Sequence, residues 1–360
     1  MSTYEFREYC RQRDSESYGD LLNQGFQVPK GQNFLEDFPI WSDPFSQSSK
    51  IKKFCIYLDH QIVASASIRI AELRLMESPR NSPLSTCSGL EDLNLSVRGV
   101  QVALLGAVVC HERHRGQGLA TRVVLEALNW ARQQRASFVF LWSAEHSFYQ
   151  KLGFLPFGVQ VRCSLRALLE SQKRQSFQSH FQLQKGFNPG ILAQIKERRG
   201  GLVNDLSLDH YYRAHTHVQW YSLGGVEQVS AFAAVGRGID LDQHVHEWGG
   251  DSQQLIQLLG LIQRENPEAI FLSSVQGLDQ LFPQWRSIGQ GSQGVSPIST
   301  PILEPLCLAY PIEGTFLSRW GLRGQESDLD SHFVLRQRGA TGESMTLDQS
   351  AFWFWGLDAS

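Results

Sequence analysis

The stretch Val108 to Thr121, VVCHERHRGQGLAT, sets Gly116 and Gly118 where an apolar strand gives way to an amphipathic helix. Glycine at such a turn lets the backbone come close to a ligand. The first amides of the following helix lack intrahelical acceptors and the helix dipole adds partial positive charge, so this end holds a pyrophosphate without needing a lysine. Arg115 stands beside it to add a charge-assisted contact. Further on, Tyr149 lies within FYQKLGF, Phe148 to Phe154, with Glu145 and His146 just before it. A phenol is protonated at neutral pH and can donate to a developing anion, while a carboxylate or an imidazole can take up a proton. His111 and Glu112 could serve the same end through a water. On residue types alone, a turn that merely needs glycine and a tyrosine that merely packs remain open alternatives.

These residues need elements to position them, and hydrophobic periodicity supplies a set. Asp14 to Phe26 reads as a short amphipathic helix with Asp14 as its cap. Ile51 to Leu58 and Gln61 to Arg74 flank Asp59-His60 as a hairpin, the second run alternating apolar and polar residues. Glu77 to Ser96, rich in Ser, Pro, Asn and Gly, reads as an exposed loop. Val100 to Cys110 has the continuous apolar composition of a central strand covered on both faces. Leu119 to Gln134 spaces its apolar residues as a helix does. Strands at Phe138 to Trp142, Phe154 to Phe157 and Gln160 to Leu165, with a short helix at Ser147 to Leu152, complete the first unit.

At 360 residues the chain is long enough for two cores. The division expected is 1–168, a connector at 169–185 that is rich in Gln, Ser and Lys, and 186–360, ending in an aromatic tail. In the second unit His217 to Leu223 and Glu227 to Val235 flank Gly224-Gly225, a two-residue hairpin signal. A strand at His244 to Trp248, a helix at Asp251 to Arg264 and a strand at Ala269 to Ser274 then repeat the order of the first unit. FLWSAEHSFYQKLGF, Phe140 to Phe154, lines up with FLSSVQGLDQLFPQW, Phe271 to Trp285. The expected architecture is α/β: a mixed, mostly antiparallel sheet flanked by helices, present twice.

Composition narrows the function. A net charge of -3 and a pI near 6.4 give no basic excess for a phosphate backbone, so nucleic acid is not an expected partner. No run approaches the roughly 18 apolar residues that cross a bilayer, no leader is apparent, and a cytoplasmic location without membrane contact is expected. The six cysteines are far apart with no CxxC pair, as reduced thiols would be. His244 and His246 share a strand face, but no third ligand is in evidence and no metal is expected.

The pattern Arg115, Gly118, Ala120 (Arg or Gln, two residues, Gly, one residue, Gly or Ala), followed at the right distance by FYQKLGF, resembles the GCN5-related N-acetyltransferases (GNAT). The resemblance spans residues 4–165 in element order and is sharp between Val108 and Phe154. It implies acetyl-CoA as co-substrate, with the backbone of Val108, Val109 and Cys110 pairing with the pantetheine arm. The loop and helix start, Arg115, Gly116, Gln117, Gly118, Leu119, Ala120 and Thr121, would hold the pyrophosphate. Tyr149 would be the general acid toward the departing thiolate. The activity implied is direct acyl transfer, usually acetyl, to an amine of a small molecule or of a protein or peptide. Glu145 is the candidate base, because the strand from Val100 to Cys110 lacks the carboxylate many relatives place there. In one tandem subfamily a C-terminal carboxylate acts as base, which here would be that of Ser360. Glu36, Asp37, Asp43, Glu91 and Asp92 are candidates to line the acceptor cleft. The second unit lacks both motifs, so it is expected to shape the acceptor cleft or the interface without binding cofactor. A non-catalytic acyl-CoA sensor or scaffold is the alternative function, and the acceptor and oligomeric state stay open.

Overall fold

The computed structural model describes residues 3–46, 48–74, 100–172, 183–197, 201–203, 208–288, 301–312, 320–322, 334–338 and 344–348. In chain order the elements begin β1 (Glu5–Glu8), α1 (Arg11–Gly25), α2 (Phe34–Asp37), α3 (Asp43–Ser46), β2 (Ile51–Leu58), β3 (Gln61–Arg74) and β4 (Val100–Cys110). There follow α4 (Leu119–Gln133), β5 (Phe138–Leu141), α5 (His146–Gln150), β6 (Leu155–Phe157), β7 (Gln160–Ser164) and α6 (Leu165–Ser171). The second half holds β8 (Leu183–Lys185), α7 (Pro189–Glu197), β9 (Gly201–Val203), α8 (Leu208–Ala214), β10 (Gln219–Gly224), β11 (Val229–Val235) and β12 (His244–Gly250). It continues with α9 (Ser252–Glu265), β13 (Ile270–Ser273), α10 (Val275–Leu281), β14 (Ile302–Glu304), β15 (Cys307–Pro311), β16 (Trp320–Leu322), β17 (Val334–Arg338) and β18 (Ser344–Asp348). The expected exposed loop at 77–96 and the aromatic tail lie outside the described residues.

Asp59 and His60 both take positive φ, 48° and 70°, as a two-residue turn matching the twist of its strands requires, and Leu58 pairs with Gln61. The second expected hairpin forms with a longer connection: Gly224 pairs with Val229 across a register shift in which Ser230 is the extra residue, and the turn runs from Gly225 to Gln228, closed by the Gly225 N–H donating to the Gln228 carbonyl at 3.1 Å. Asp14 is not the cap of α1. It lies inside the first turn, buried, where its carboxylate accepts from the Cys10 N–H, the Tyr57 hydroxyl and Arg13 Nε, each at 2.7 Å. A buried carboxylate needs donors, and here three converge on it.

Burial pushes the Asp14 carboxyl up, but Arg13, the Cys10 amide and Tyr57 outweigh it and hold it below the usual range. Asp43 is likewise held low, with burial overcome by Ser15, Tyr9 and Lys53. A lowered folded-state pKa means the unfolded chain binds more protons, so this stability is fully present above the unfolded aspartate value near 4 and is lost as pH falls through the folded values. Burial also holds the imidazoles of His215 and His246 below their ordinary value, so the urea midpoint should begin to fall below the unfolded histidine value near 6.5 and fall further below about 5 as the aspartates protonate; Asp14→Asn should blunt the second part of the fall.

Two sheets carry the fold. One runs β1-β2-β3-β4-β5-β15-β6, with β9 paired to the end of β3, and the other runs β14-β7-β13-β12-β11-β10-β8; β16 to β18 form a small third sheet. The order β2, β3, β4, α4, β5, α5 recurs as β10, β11, β12, α9, β13, α10, so one mixed α/β plan is used twice. The sheets exchange strands across the composition change near residue 169, the first taking β9 and β15 and the second taking β7. β15, from the second half, lies antiparallel between β5 and β6 (Leu308 opposite Leu141 and Pro156), while β7, from the first, lies beside β13 (Cys163 opposite Phe271). Tyr18, Ile40 and Trp41, from the helical layer of the first half, share a single buried cluster with the second-half aromatics Tyr211, Trp220 and Phe232. The two halves are thus locked by exchanged strands and by a common core.

Candidate functional site

The site opens where a strand pair stops pairing. β4 and β5 are parallel and register only at Ala103 with Val139 and Leu104 with Phe140, yet β4 runs on to Cys110. A bulge steers that extension: Ser65 faces Val109 and Ser67 faces Gly106, with Ala107 at a φ of 49°. An extra residue flips the alternation of side chains. Ala103 and Leu105 pack under α4, whereas Ala107 and Val109 pack toward α1. Past the bulge, Val108 to Cys110 face the gap left by β5, and a cleft of about 930 Å³ occupies it.

Nine of the ten residues expected at the cofactor line this cleft: Val108, Val109, Cys110, Arg115, Gly116, Gly118, Leu119, Ala120 and Thr121. Gln117 is exposed and does not. Gly116 and Gly118 take φ of 77° and 75°, and a Cβ at either would meet nothing within 4 Å. Their glycine requirement therefore comes from backbone conformation and from space kept open, not from a protein neighbour. Gly118 caps α4, which has no side-chain cap and no acidic residue in its first turn, so its first amides are available to an anion. Arg115 Nε donates to the Cys110 carbonyl at 3.4 Å, fixing its stem to the end of β4.

On the opposite wall lie Tyr149 and Glu145. Tyr149 is buried on α5, packed edge-on to Phe154 with ring centroids 5.6 Å apart. Burial first, and then the neighbouring Glu145 charge, push its phenol up, so it stays protonated. Glu145 is exposed at the start of α5, its N–H bonded to Ser143 Oγ at 3.0 Å. His111, Glu112 and His146 do not line the cleft; His111 instead accepts the Arg113 N–H at 3.3 Å. Ser360 lies outside the described residues. Burial raises the Cys110 thiol against the pull of Arg115, leaving it a neutral thiol and a poor nucleophile.

The acceptor side differs from expectation. Asp37 and Asp43 are buried in pairs, and Glu36 is exposed outside the cleft, while Glu91 and Asp92 lie outside the described residues. Asp43 accepts from Lys53 Nζ at 3.1 Å and from the Tyr9 and Ser15 hydroxyls at 2.8 Å. Asp37 pairs with His217 Nδ1 at 2.5 Å and accepts the Ile239 N–H at 3.1 Å, tying α2 to the second half. Both carboxylates hold structure, because a buried charge persists only when paired. The residues that do line this side went unnoticed in the sequence: Phe26, Phe34, Phe38, Trp41, Arg237 and Asp240. Trp41 fits because Gly106 has no side chain; a Cβ there would collide with the indole. Gly238, at a φ of 79°, lies so close that a Cβ would overlap the Asp37 carboxylate. Gly238→Ala should lower stability by about 2 kcal/mol or more through strain and overpacking, read as a drop of a few degrees in the thermal midpoint.

The second half has the equivalent opening and closes it. β12 and β13 register only at His244 with Ile270 and Val245 with Phe271, but the Trp248 indole crosses the gap and donates to the Leu272 carbonyl at 3.0 Å. At the start of α9 the Asp251 carboxylate accepts the Gln253 and Gln254 amides at 3.0 Å. A negative cap occupies the amides that α4 leaves open, and an anion is repelled there. His244 and His246 bond the Asp242 and Gly236 carbonyls, and among the described residues no group of three or more His, Cys, Asp or Glu could hold a metal ion.

Residues 16–154 match the acetyltransferase (GNAT) family. Among solved structures the chain is similar to a conserved protein of unknown function from Enterococcus faecalis V583, a probable N-acyltransferase, at 12% identity and a TM-score of 0.57 over 97% of this chain and 86% of that one. It is similar to a GCN5-related N-acetyltransferase from Anabaena variabilis at 14% identity and a TM-score of 0.56, over 96% and 85% of the two chains. One from Kribbella flavida gives 14% and 0.53, over 86% and 71%. At such identities the likeness is one of fold, and it extends through both sheets. No curated protein matches the chain in sequence. Among the described residues no helix is long and apolar enough to cross a membrane.

Proposed function

We propose that this chain, whose residues 16–154 match the GNAT family, is an acyl-CoA-dependent N-acyltransferase that moves acetyl from acetyl-CoA to a primary amine. The observation that carries this is the sharing of one cleft by an uncapped, glycine-entered helix start and a protonated, buried Tyr149. The residues fit the cofactor: two left-handed glycines with open space above them, unclaimed amides, and a basic side chain beside them. Acetyl-CoA supplies a thioester whose carbonyl carbon the amine attacks. The first-turn amides of α4, with Arg115, bind the pyrophosphate. The backbone of Val108 to Cys110, turned by the bulge, aligns the pantetheine arm along β4. Glu145 takes the proton that the ammonium must lose, and the Tyr149 hydroxyl gives one to the leaving sulfur. The neutral Cys110 thiol takes no part, which suits direct transfer. The second half, its own opening filled by Trp248 and its helix start capped by Asp251, completes the acceptor side through Arg237 and Asp240.

A second reading, an acyl-CoA sensor without turnover, draws support from β4 itself. It carries no carboxylate, and Trp41 rests on Gly106. Thiol release from acetyl-CoA in the presence of a panel of primary amines separates the two. Amine-dependent release supports the transferase; stabilisation by acetyl-CoA with no release on any amine supports the sensor.

A further inference from the structure

The acceptor wall is a graded stack of rings. Phe26 stacks on Phe34 with centroids 4.4 Å apart and planes 24° apart, and Phe34 on Phe38 at 4.5 Å and 23°. The inner end is closed by the Arg237 guanidinium, 4.7 Å from the Phe38 centroid. Arg237 is held by Asp240, with Nε 3.0 Å from Oδ1. The outer end is open: Phe34 is buried, whereas Phe26 is 39% exposed. Phe26 owes its position to Gly25, where a Cβ would overlap the Val109 side chain, so the end of α1 rests directly on β4 and delivers the ring to the cleft mouth. The same ring, with Gln27 and Ile239, borders a neighbouring cavity of about 590 Å³ formed with the second half. That cavity is lined by the carboxamides of Gln32, Gln219, Gln243 and Asn266 and by Asp242.

An exposed ring is ordinary on a surface. One that ends a three-ring stack, inside a cleft whose other wall carries Tyr149 and Glu145, has a free π-face where an acceptor must lie. Glu145 gives the cleft a carboxylate suited to an ammonium group, whereas Asp240 is already paired with Arg237 at the far end of the stack. We infer that the acceptor is a primary amine carrying a flat aromatic ring, which stacks on Phe26 as the next member of the series and makes this residue a determinant of specificity. The inference rests on the acyl-transfer reading of the cleft for the fate of the amine, but the stacking subsite is a matter of binding alone.

Binding is therefore the readout. Phenethylamine and n-hexylamine have similar apolar bulk and differ in the ring. Calorimetric titration of the full chain in the presence of CoA should give phenethylamine a dissociation constant a few-fold to about tenfold lower, since offset stacking adds about 0.5–1.5 kcal/mol beyond area burial. Phe26→Leu, which keeps apolar bulk, should erase the preference, and Phe26→Tyr should keep it. Equal binding of the two amines by the wild type, a preference that survives Phe26→Leu, or binding of neither at 10 mM (roughly ten times a millimolar constant) overturns the subsite. Parallel turnover assays separate the two claims. A ring preference in binding with no acetyl transfer to any primary amine of a panel leaves the subsite standing and sinks the transferase; acetyl transfer with equal binding of the two amines does the reverse.

Discussion

Tyr149→Phe should lower kcat for acetyl transfer by about 10²- to 10⁴-fold, the usual contribution of a positioned acid or base, while the dissociation constant for acetyl-CoA changes little. The ring packs within a buried cluster that includes Val124, Leu141 and Phe154, and phenylalanine preserves that packing. Only the hydroxyl is lost. Because burial and the Glu145 charge keep the phenol protonated well into the alkaline range, the variant should fall below wild type by the same factor across neutral and mildly alkaline pH, without shifting either limb of the profile. Glu145→Gln should instead act on the limb that reports deprotonation of the amine. A Tyr149→Phe enzyme within threefold of wild type would remove the tyrosine from the chemistry and favour the sensor reading.

Lys53→Met should be the most damaging change outside the cleft, costing about 3–5 kcal/mol. Lys53 and Asp43 are both buried, 3.1 Å apart, and the ammonium also lies 4.1 Å and 4.2 Å from the centroids of Tyr9 and Tyr18. Burial pulls the Lys53 ammonium down, and the Asp43 carboxylate opposes that pull. Removing the cation leaves a desolvated carboxylate without its buried counter-charge, although the Tyr9 and Ser15 hydroxyls and, more loosely, exposed Arg11 at 3.7 Å still reach it. The double variant Lys53→Met with Asp43→Asn should recover part of the loss, because no uncompensated charge remains. Chemical denaturation measures both. Asp43 belongs to the fold, so surviving Lys53→Met protein should keep its affinity for acetyl-CoA.

How much of this was legible in the sequence depends on how local each feature is. The helix start at Gly118 and the tyrosine segment are written in contiguous residues, where glycine spacing and apolar periodicity act on the next turn of chain; the structure brings both to one cleft. The hairpin at Asp59-His60 was legible for the same reason. Exchanged strands were not: β7 and β15 are five residues each, and their neighbours β13 and β5 lie more than a hundred positions away. Nothing in QVRCS or CLAYP says which sheet will take it. Gly224 shows a related failure, since a Gly-Gly pair reads as a two-residue turn whereas Gly224 still pairs with Val229 and a register shift at Ser230 accompanies a longer connection. Asp37 and Asp43 were misread because charge suggests solvent. Both are buried by partners such as His217 and Lys53 that only tertiary structure supplies. The aromatic wall escaped notice for the opposite reason, as Phe26, Phe34 and Phe38 look like core material until α1 and α2 set them in a stack. A hint did exist, in three phenylalanines at the end of α1 and the two ends of α2, beside a Gly25 that no helix needs.

The measurement that bears most directly on the central claim is thermal unfolding of the full chain with and without acetyl-CoA, run beside Gly118→Trp. At a hundred times the dissociation constant, ligand should stabilise the wild type by about 2.7 kcal/mol, a shift of a few degrees. The indole at position 118 should fill the space open to the pyrophosphate and abolish the shift. Stabilisation of the wild type but not of the variant is the predicted result. An equal shift in both proteins would place acetyl-CoA elsewhere than at the start of α4, and no shift in either at millimolar ligand would contradict acetyl-CoA binding altogether.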